Sequence, residues 1–239
     1  MGYQMTFKRY ELKYLLTRAQ KEWIVEAMQP YMKLDQYERD TIRNLYFDTE
    51  NYRLIRHSLE KPAYKEKLRV RSYRPAGPDD PVYVEIKKKY RSVVYKRRIS
   101  LPFAQAMHGL ACHSRLPVQS QIASEIEYFR DYYQTLRPTV FLSYEREAYY
   151  ALDGSDFRIT FDENIRYRQH GLTLSGSIYG TPLLTPSQTL MEIKTSGGIP
   201  LWMSHALAAR QVFKTSFSKY GCAYQQILAG REQGGVRYA

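Results

Sequence analysis

The sequence predicts an α+β protein built around a closed or nearly closed antiparallel β-barrel, with helices packed outside it. Two observations lead to this fold class. Many strand-like runs follow one another with only a turn between them, which fits antiparallel pairing better than alternating strands and helices. The connecting loops are also short, as at residues 75–81, 152–156 and 176–186. Short loops without a long linker argue for a single domain over residues 1–239.

The predicted strands are mostly runs in which polar and apolar residues alternate, the repeat of a β-strand with one buried face. In the first run, Glu11 and Lys13 share one face, whereas Leu12 and Tyr14 share the other. The predicted strands span residues 5–15, 41–48, 64–74, 81–90, 92–101, 138–151, 156–162, 165–169 and 188–195.

The first predicted helix begins after Thr17, because Thr17 and Gln20 form the capping-box pattern that satisfies free backbone N–H groups. Its spacing places four apolar residues on the inward face, namely Trp23, Ile24, Ala27 and Met28. The predicted helices span residues 17–32, 49–58, 102–109, 119–136, 203–213 and 217–230.

The charge balance points to a polyanionic partner. The 239 residues include 36 Lys and Arg against 24 Asp and Glu, which gives a formal net charge of +12. Such an excess is typical of proteins that bind nucleic acid, acidic lipid or phosphates. Arg outnumbers Lys by 22 to 14. This ratio favours phosphate, because one guanidinium group can bind two phosphate oxygens at once.

Other features exclude several protein classes. No run approaches the roughly 18 apolar residues of a membrane-spanning helix, and the mean hydropathy is −0.56. The first residues lack the apolar stretch and cleavage site of a secretory signal. The two cysteines, Cys112 and Cys222, are too few for a disulfide framework or a cysteine zinc site. We therefore expect a protein of the reducing cytoplasm.

Basic residues concentrate on particular strand faces, since residues of equal parity in a strand share a face. In the run 64–74, Lys67, Arg69 and Arg71 oppose Leu68 and Val70. The same parity groups Glu85 with Lys87, Lys96 with Arg98, Tyr144 with Arg146, Arg158 with Asp162, and Glu192 with Lys194.

A solvent-facing sheet surface would explain any one of these strands. Such surfaces mix both signs of charge, however, whereas these faces are mostly Arg and Lys with isolated carboxylates at Glu11, Glu85 and Glu192. A closed barrel would gather the basic rows into one channel, which is tolerable only if the channel is wet or holds a polyanion. The few carboxylates suggest Mg²⁺ or Mn²⁺, which protein carboxylates hold together with substrate phosphates.

Nine short motifs span nearly the whole chain: FKRYELKYLL at 7–16, LYFDT at 45–49, KLRVRSY at 67–73, VEIKKK at 84–89, KRR at 96–98, SYEREAY at 143–149, FRITFDENIR at 157–166, LMEIKT at 190–195 and FSKYG at 217–221. With these motifs in this order, the sequence resembles the VTC domain, the polyphosphate polymerase domain of the vacuolar transporter chaperone complex. That domain belongs to the triphosphate tunnel metalloenzymes, alongside the CYTH proteins. No SPX-like segment accompanies the motifs, so a bacterial stand-alone member is expected.

The resemblance implies a closed antiparallel β-barrel tunnel that binds triphosphate or polyphosphate, and it implies which residues act there. The catalytic residues that match the family's tunnel positions are Lys13, Arg69, Arg71, Lys87, Arg146, Arg158 and Lys219. Further phosphate contacts are expected from Lys67, Lys96, Arg98 and Lys194. Glu192 matches the metal-binding glutamate, and Glu11 and Glu85 would help it to hold Mn²⁺ or Mg²⁺.

Three positions depart from the family pattern. The CYTH signature begins E-x-E-x-K, but this chain has Arg9-Tyr-Glu11-Leu-Lys13, which moves the expectation from a two-metal hydrolase toward the polymerase. Ser58 and Ser216 stand where basic residues are expected. The candidate substitutes are Arg56 or Lys61 for the first and Lys214 for the second.

The implied activity is that of an ATP-dependent polyphosphate polymerase, which transfers the γ-phosphate of ATP to a growing chain. The expected partners are ATP, inorganic polyphosphate, triphosphate or pyrophosphate. Two alternatives stay open, namely a tri- or polyphosphatase on the same fold and a non-enzymatic polyphosphate- or RNA-binding module. An RNA-binding protein should place base-stacking aromatics beside its cations, whereas many of the 23 tyrosines alternate with the basic faces. Nucleic acid is therefore not the expected partner.

Overall fold

The structure is a computed structural model that describes residues 10–91 and 93–234, with side chains described through residue 230. Residues 5–9 of the first predicted strand, including Arg9, and residue 92 lie outside the described residues. The strands are β1 (Tyr10–Thr17), β2 (Met32–Asp48), β3 (Tyr64–Ser72), β4 (Pro81–Tyr90), β5 (Val93–Pro102), β6 (Arg137–Ala151), β7 (Arg158–Arg168), β8 (Thr181–Pro182), β9 (Gln188–Thr195) and β10 (Lys214–Thr215). The helices are α1 (Arg18–Met28), α2 (Arg53–Leu59), α3 (Phe103–Ala111), α4 (Gln121–Tyr133), α5 (Leu201–Ala209) and α6 (Lys219–Gly234).

All described strands belong to one antiparallel sheet with the order β10-β1-β9-β7-β6-β2-β3-β4-β5, in which β8 also pairs with β7. The sheet curls until its two ends approach each other, since Lys87 Nζ in β4 lies 2.6 Å from a carboxylate oxygen of Glu11 in β1. No backbone pairing within the described ranges joins β5 to β1 or β10. The α+β barrel predicted from the sequence is therefore present, but it is nearly closed rather than strictly closed.

Two helical layers cover the outer face of the sheet. Leu68, Val70 and Ile86 pack with residues of α3 and α4 in one buried cluster. Ile159 and Met191 pack with residues of α1 and α5 in another. Each such side chain contributes about 1.5–3 kcal/mol through its removal from water. Because successive strand residues point to opposite faces, this burial directs the intervening charged residues to the inner face.

The helix α6 differs from the others, because it packs against the inner face. Tyr220 of α6 stacks on Tyr46 of β2 with ring centroids 4.6 Å apart. The Tyr220 hydroxyl also donates a hydrogen bond of 2.9 Å to Asp48. Asp48 in turn accepts from the backbone N–H groups of Leu54 and Ile55 and so caps α2. A strand end, α2 and α6 are thus joined at one buried carboxylate.

The structure corrects several predicted boundaries. The capping box of Thr17 and Gln20 is confirmed, but α1 ends at Met28 because the helix cannot continue up to Pro30. The strand β2 begins at Met32 instead of residue 41, in a polar stretch with no alternation to reveal it. The predicted strands 156–162 and 165–169 are one strand, β7, which crosses a bulge near Asn164. The two-residue strands β8 and β10 are too short to show a period.

Two further observations bear on the protein class. Both cysteines are free in the structure, with Cys112 exposed and Cys222 partly exposed. Within the described residues, no helix combines the length and the apolar composition that crossing a membrane requires.

Candidate functional site

The candidate site is the inner basic face, which we define by eleven cationic side chains from β1, β3–β7, β9 and α6. These residues are Lys13, Lys67, Arg69, Arg71, Lys87, Lys96, Arg98, Arg146, Arg158, Lys194 and Lys219. All eleven were predicted as catalytic or phosphate-contacting residues. The strand pleat brings the predicted side chains to one face, whereas their roles stay predictions.

The first acidic centre of this face is Glu192 in β9, which lies among four cations. Its carboxylate oxygens are 3.1 to 3.4 Å from nitrogen atoms of Lys13, Arg146, Lys194 and Lys219. Burial disfavours the charged carboxylate, but these cations outweigh burial and hold the pKa of Glu192 well below its usual range. Glu192 is therefore an ionised group with a net positive environment.

Asp162 in β7 lies beside Glu192 and is fully buried. Its two oxygens accept from Arg146 Nε at 2.5 Å and Nη2 at 2.6 Å. Lys219 Nζ lies 2.5 Å from Oδ2 of the same carboxylate. Burial raises the pKa of Asp162, yet Arg146 and Lys219 prevail and lower it. The parity rule had placed Asp162 on this face, but it was not among the predicted site residues.

The second acidic centre is Glu85 in β4, whose side chain is 1% exposed. One oxygen lies 2.7 Å from Arg69 Nη2 and the other lies 2.7 Å from Lys96 Nζ, while Arg71 Nε is 4.0 Å away. Although burial opposes ionisation, Arg69, Arg71 and Lys96 hold the pKa of Glu85 well below its usual range. Burial and the two arginines also lower the pKa of Lys96 to about 7 despite Glu85.

Glu11 forms a third centre at the approach of the two sheet ends. Both of its oxygens accept from Lys87 Nζ, at 2.9 and 2.6 Å. Burial works against the charged form, but Lys87 overcomes it and lowers the pKa of Glu11 to about 2. On β9, burial lowers the pKa of Lys194 to about 8, with Arg146 adding repulsion and Glu192 opposing.

Tyrosine and asparagine side chains hold the inner arginines, a role the sequence did not reveal. Arg69 donates to the Tyr46 hydroxyl at 3.1 Å. Arg71 donates to Asn44 Oδ1 and to the Tyr144 hydroxyl, both at 2.9 Å. In the sequence, these residues cannot be distinguished from ordinary core residues, because the arginines that they contact lie on another strand.

The remaining cations lie around these centres with fewer acidic partners. The Arg98 guanidinium lies 4.6 Å from the centre of the Tyr83 ring. Arg158 lies 3.5 Å from Asp35 and also faces the Tyr150 ring. Lys67 donates to the Ser218 hydroxyl at 2.9 Å. Among the contacts of the described residues, Arg98 and Lys67 therefore have no acidic partner, and Arg158 has only Asp35.

The structure shows the surroundings of the positions that depart from the family pattern and of their candidate substitutes. The Ser58 carbonyl accepts from Lys65 Nζ at 3.1 Å, so a basic side chain lies beside this position. Arg56 instead lines a groove of about 740 Å³ between α2 and α4. Lys214 is exposed in β10 and pairs in register with Tyr14.

The titration of Lys67 gives a testable pH dependence. Burial and the positive charges of Lys13, Lys87, Lys65 and Arg69 lower its pKa to about 7. A bound polyanion stabilises the charged ammonium, so binding above about pH 7 must take up a proton. Affinity for tripolyphosphate should therefore weaken as pH rises from 7 to 9, by up to about tenfold per unit from this one group.

Titration calorimetry of wild type and Lys67→Met measures the tripolyphosphate Kd over this pH range. The ligand titrates in the same way in both experiments, so the difference between the two proteins is the contribution of Lys67. The slope of log Kd against pH should be shallower in Lys67→Met. Equal slopes in the two proteins would contradict the lowered pKa.

The acidic side chains of the inner basic face show how a divalent metal ion could be held there. Within the described ranges, no group of three or more His, Cys, Asp or Glu side chains is arranged to hold a metal ion. The carboxylates of Glu11, Glu85 and Glu192 are all ion-paired with cations. Mg²⁺ and Mn²⁺ can nevertheless be held by one carboxylate plus substrate phosphates. Glu192 fits that mode best, because its shortest cation contact, 3.1 Å, is longer than those of Glu11 and Glu85, and a phosphate chain would compete for its four cations.

Comparisons with known proteins show the family and the fold. A family model, the VTC domain, matches residues 8–228. A candidate adenylate cyclase from Bacillus halodurans is 15% identical with a TM-score of 0.55, covering 90% of this chain and 96% of that one. A candidate adenylyl cyclase from Hippeastrum, described as having a dominant triphosphatase activity, is 16% identical with a TM-score of 0.54, covering 90% of this chain and 93% of that one. A comparison with curated proteins finds no match.

Proposed function

The chain belongs to the VTC domain family, and we propose that it is a polyphosphate polymerase that transfers the γ-phosphate of ATP to a polyphosphate chain on the inner basic face. The family supports an activity on polyphosphate or triphosphate. The observation that carries the proposal is the convergence of eleven cations on one nearly closed face around Glu85, Asp162 and Glu192. This excess of positive charge suits a long anion better than a single phosphate.

Phosphoryl transfer needs alignment and charge neutralisation more than covalent help from the protein. We propose that Arg69, Arg71, Arg146 and Arg158 grip phosphate oxygens in pairs and that the lysines add point charges. A divalent cation held by Glu192 and phosphate oxygens would neutralise charge on the transferring group. A terminal phosphate oxygen of the chain attacks the γ-phosphorus, the bond to the β-phosphate oxygen breaks, and ADP leaves.

The state of the carboxylates supports transfer to phosphate over transfer to water. The acceptor oxygen of a polyphosphate chain is already ionised, so it needs no general base. Hydrolysis is helped by a base, yet the pKa values of Glu11, Glu85, Asp162 and Glu192 are all lowered. A carboxylate with a lowered pKa is a weaker base.

A triphosphatase is the second candidate, because a structural neighbour from Hippeastrum is described as having that activity. The experiment is to incubate the purified protein with ATP and Mn²⁺ or Mg²⁺ and to resolve the products by gel and phosphorus NMR. A ladder of chains with matching ADP supports the polymerase. Free orthophosphate without chains supports the phosphatase, and salt-dependent polyphosphate binding without turnover supports a binding module.

Two adjacent lysines provide a matched control for this assay. Lys87 points to the inner face, where it contacts Glu11, whereas Lys88 lies 3.7 Å from Glu125 of α4 on the outer face. Lys87→Ala should reduce turnover and Lys88→Ala should not. Equal losses in the two variants would contradict the placement of the site on the inner face.

A further inference from the structure

The inference concerns the different environments of two neighbouring buried carboxylates. Asp162 has no exposed side-chain surface, and its polar contacts with the described residues of the inner face are with Arg146 and Lys219, at 2.5 to 2.6 Å. Glu192 is 9% exposed, and its contacts with four cations are longer, at 3.1 to 3.4 Å. The more open carboxylate is the one able to exchange partners for an arriving ligand.

The cations that Asp162 holds come from two different elements. Arg146 belongs to β6 and Lys219 is the first residue of α6. The Tyr144 ring lies beneath both, 5.0 Å from the guanidinium and 4.6 Å from the ammonium. Asp162 therefore links the first residue of α6 to a side chain of β6, and both cations lie over the Tyr144 ring.

We propose that Asp162 is a positioning residue that fixes Arg146 and Lys219 before the ligand binds, while Glu192 is the carboxylate whose cation contacts the arriving phosphates replace. This assignment rests on the proposed phosphoryl-transfer function. Asp162 itself touches no substrate, because both oxygens are buried and occupied. Replacing it leaves Arg146 and Lys219 with their longer contacts to Glu192, so their alignment weakens although the face becomes more positive.

The expected result is a split between turnover and binding. Asp162→Asn should lower kcat by roughly 10- to 100-fold, the range that corresponds to losing a hydrogen bond to a charged group. The Kd for tripolyphosphate should change by less than about threefold, because the gain in net positive charge offsets the lost alignment. Circular dichroism and thermal unfolding establish that the variant folds.

A double-variant background separates positioning from a general structural role. In Arg146→Ala/Lys219→Met, Asp162 has lost both partners and is an unpaired buried charge. That background lacks two proposed phosphate contacts, so its readout is stability. Adding Asp162→Asn there should raise Tm, because it removes the unpaired charge, whereas Asp162→Asn alone should lower Tm. A rise in Tm in both backgrounds would overturn the proposal, because Asp162 would then gain nothing from its two cations.

A spectroscopic measurement tests the same proposal without turnover. The Arg146 Nε–H donates to Asp162 in a buried site, so its NMR signal should exchange slowly with water, as assigned by its absence in Arg146→Lys. Asp162→Asn should speed this exchange at least tenfold. Unchanged exchange overturns the positioning role, whereas an inactive wild type with the expected exchange would overturn only the proposed reaction.

Discussion

Glu192→Gln is expected to reduce turnover of ATP by at least about 100-fold while tripolyphosphate binding is retained. A metal held by Glu192 and phosphate oxygens would supply several kcal/mol of charge stabilisation in the transition state, and each 1.36 kcal/mol is about tenfold in rate. Glutamine keeps the size of the side chain but removes the charge that would hold the metal. Binding persists because Lys13, Arg146, Lys194 and Lys219 all stay in place and lose a competing anion.

The measurement pairs steady-state kinetics with calorimetry of tripolyphosphate, with and without Mn²⁺. The matched control is Glu163→Gln, which removes a partly exposed glutamate bonded to Lys21 and Thr189 next to Asp162 in the sequence. Only the Glu192 variant should lose the effect of Mn²⁺ on tripolyphosphate affinity. If Glu192→Gln turns over ATP normally, its proposed role with the metal is wrong. If it loses binding as well, Glu192 organises the cations rather than the metal.

Glu85→Gln is expected to lower the free energy of unfolding by about 3–5 kcal/mol, the usual cost of leaving a buried charge without its partner. Glu85 is nearly inaccessible and neutralises Arg69 and Lys96 directly, with Arg71 close by. Without it, these cations repel one another in a buried site. Tripolyphosphate should restore most of the loss, because it supplies the missing negative charge and binds only the folded state.

Urea unfolding with and without tripolyphosphate checks this expectation. Glu125→Gln on the outer face is the control, because Glu125 pairs with Arg97 and Lys88 in a more accessible place. Glu125→Gln should lower the free energy of unfolding by about 1 kcal/mol or less. Tripolyphosphate should stabilise this variant no more than it stabilises wild type. A Glu85 variant as stable as wild type would show that the inner cations do not need this carboxylate.

Much of the fold follows from local patterns. The alternation in β3 placed Leu68 and Val70 on one face and Arg69 and Arg71 on the other, and the structure buries the first pair and turns the second inward. The stretch before Thr41 in β2 was missed because its residues are polar on both faces and pair with β6 across a bulge. A strand of that kind is specified by its partner, and no period in its own sequence reveals it.

The placement of the cations on one face was predictable from the sequence, but their pairing with carboxylates was not. Parity and family resemblance selected Glu11 and Lys87, yet nothing in the sequence indicated that these residues, 76 positions apart, share a hydrogen bond. Asp162 shows the same limit, since one of its two cation partners is Lys219, which belongs to a helix packed on the inner face.

The sequence by itself determined the strand faces, the helix α1 cap and the excess of cations, because these depend on residue spacing and composition over short stretches. Only the tertiary structure decided which carboxylate neutralises which cation. Those pairs depend on how far the sheet curls and on where α6 docks, and both are set by packing between elements distant in the chain. The electrostatic energy of a buried pair changes steeply over the few ångströms that this packing decides.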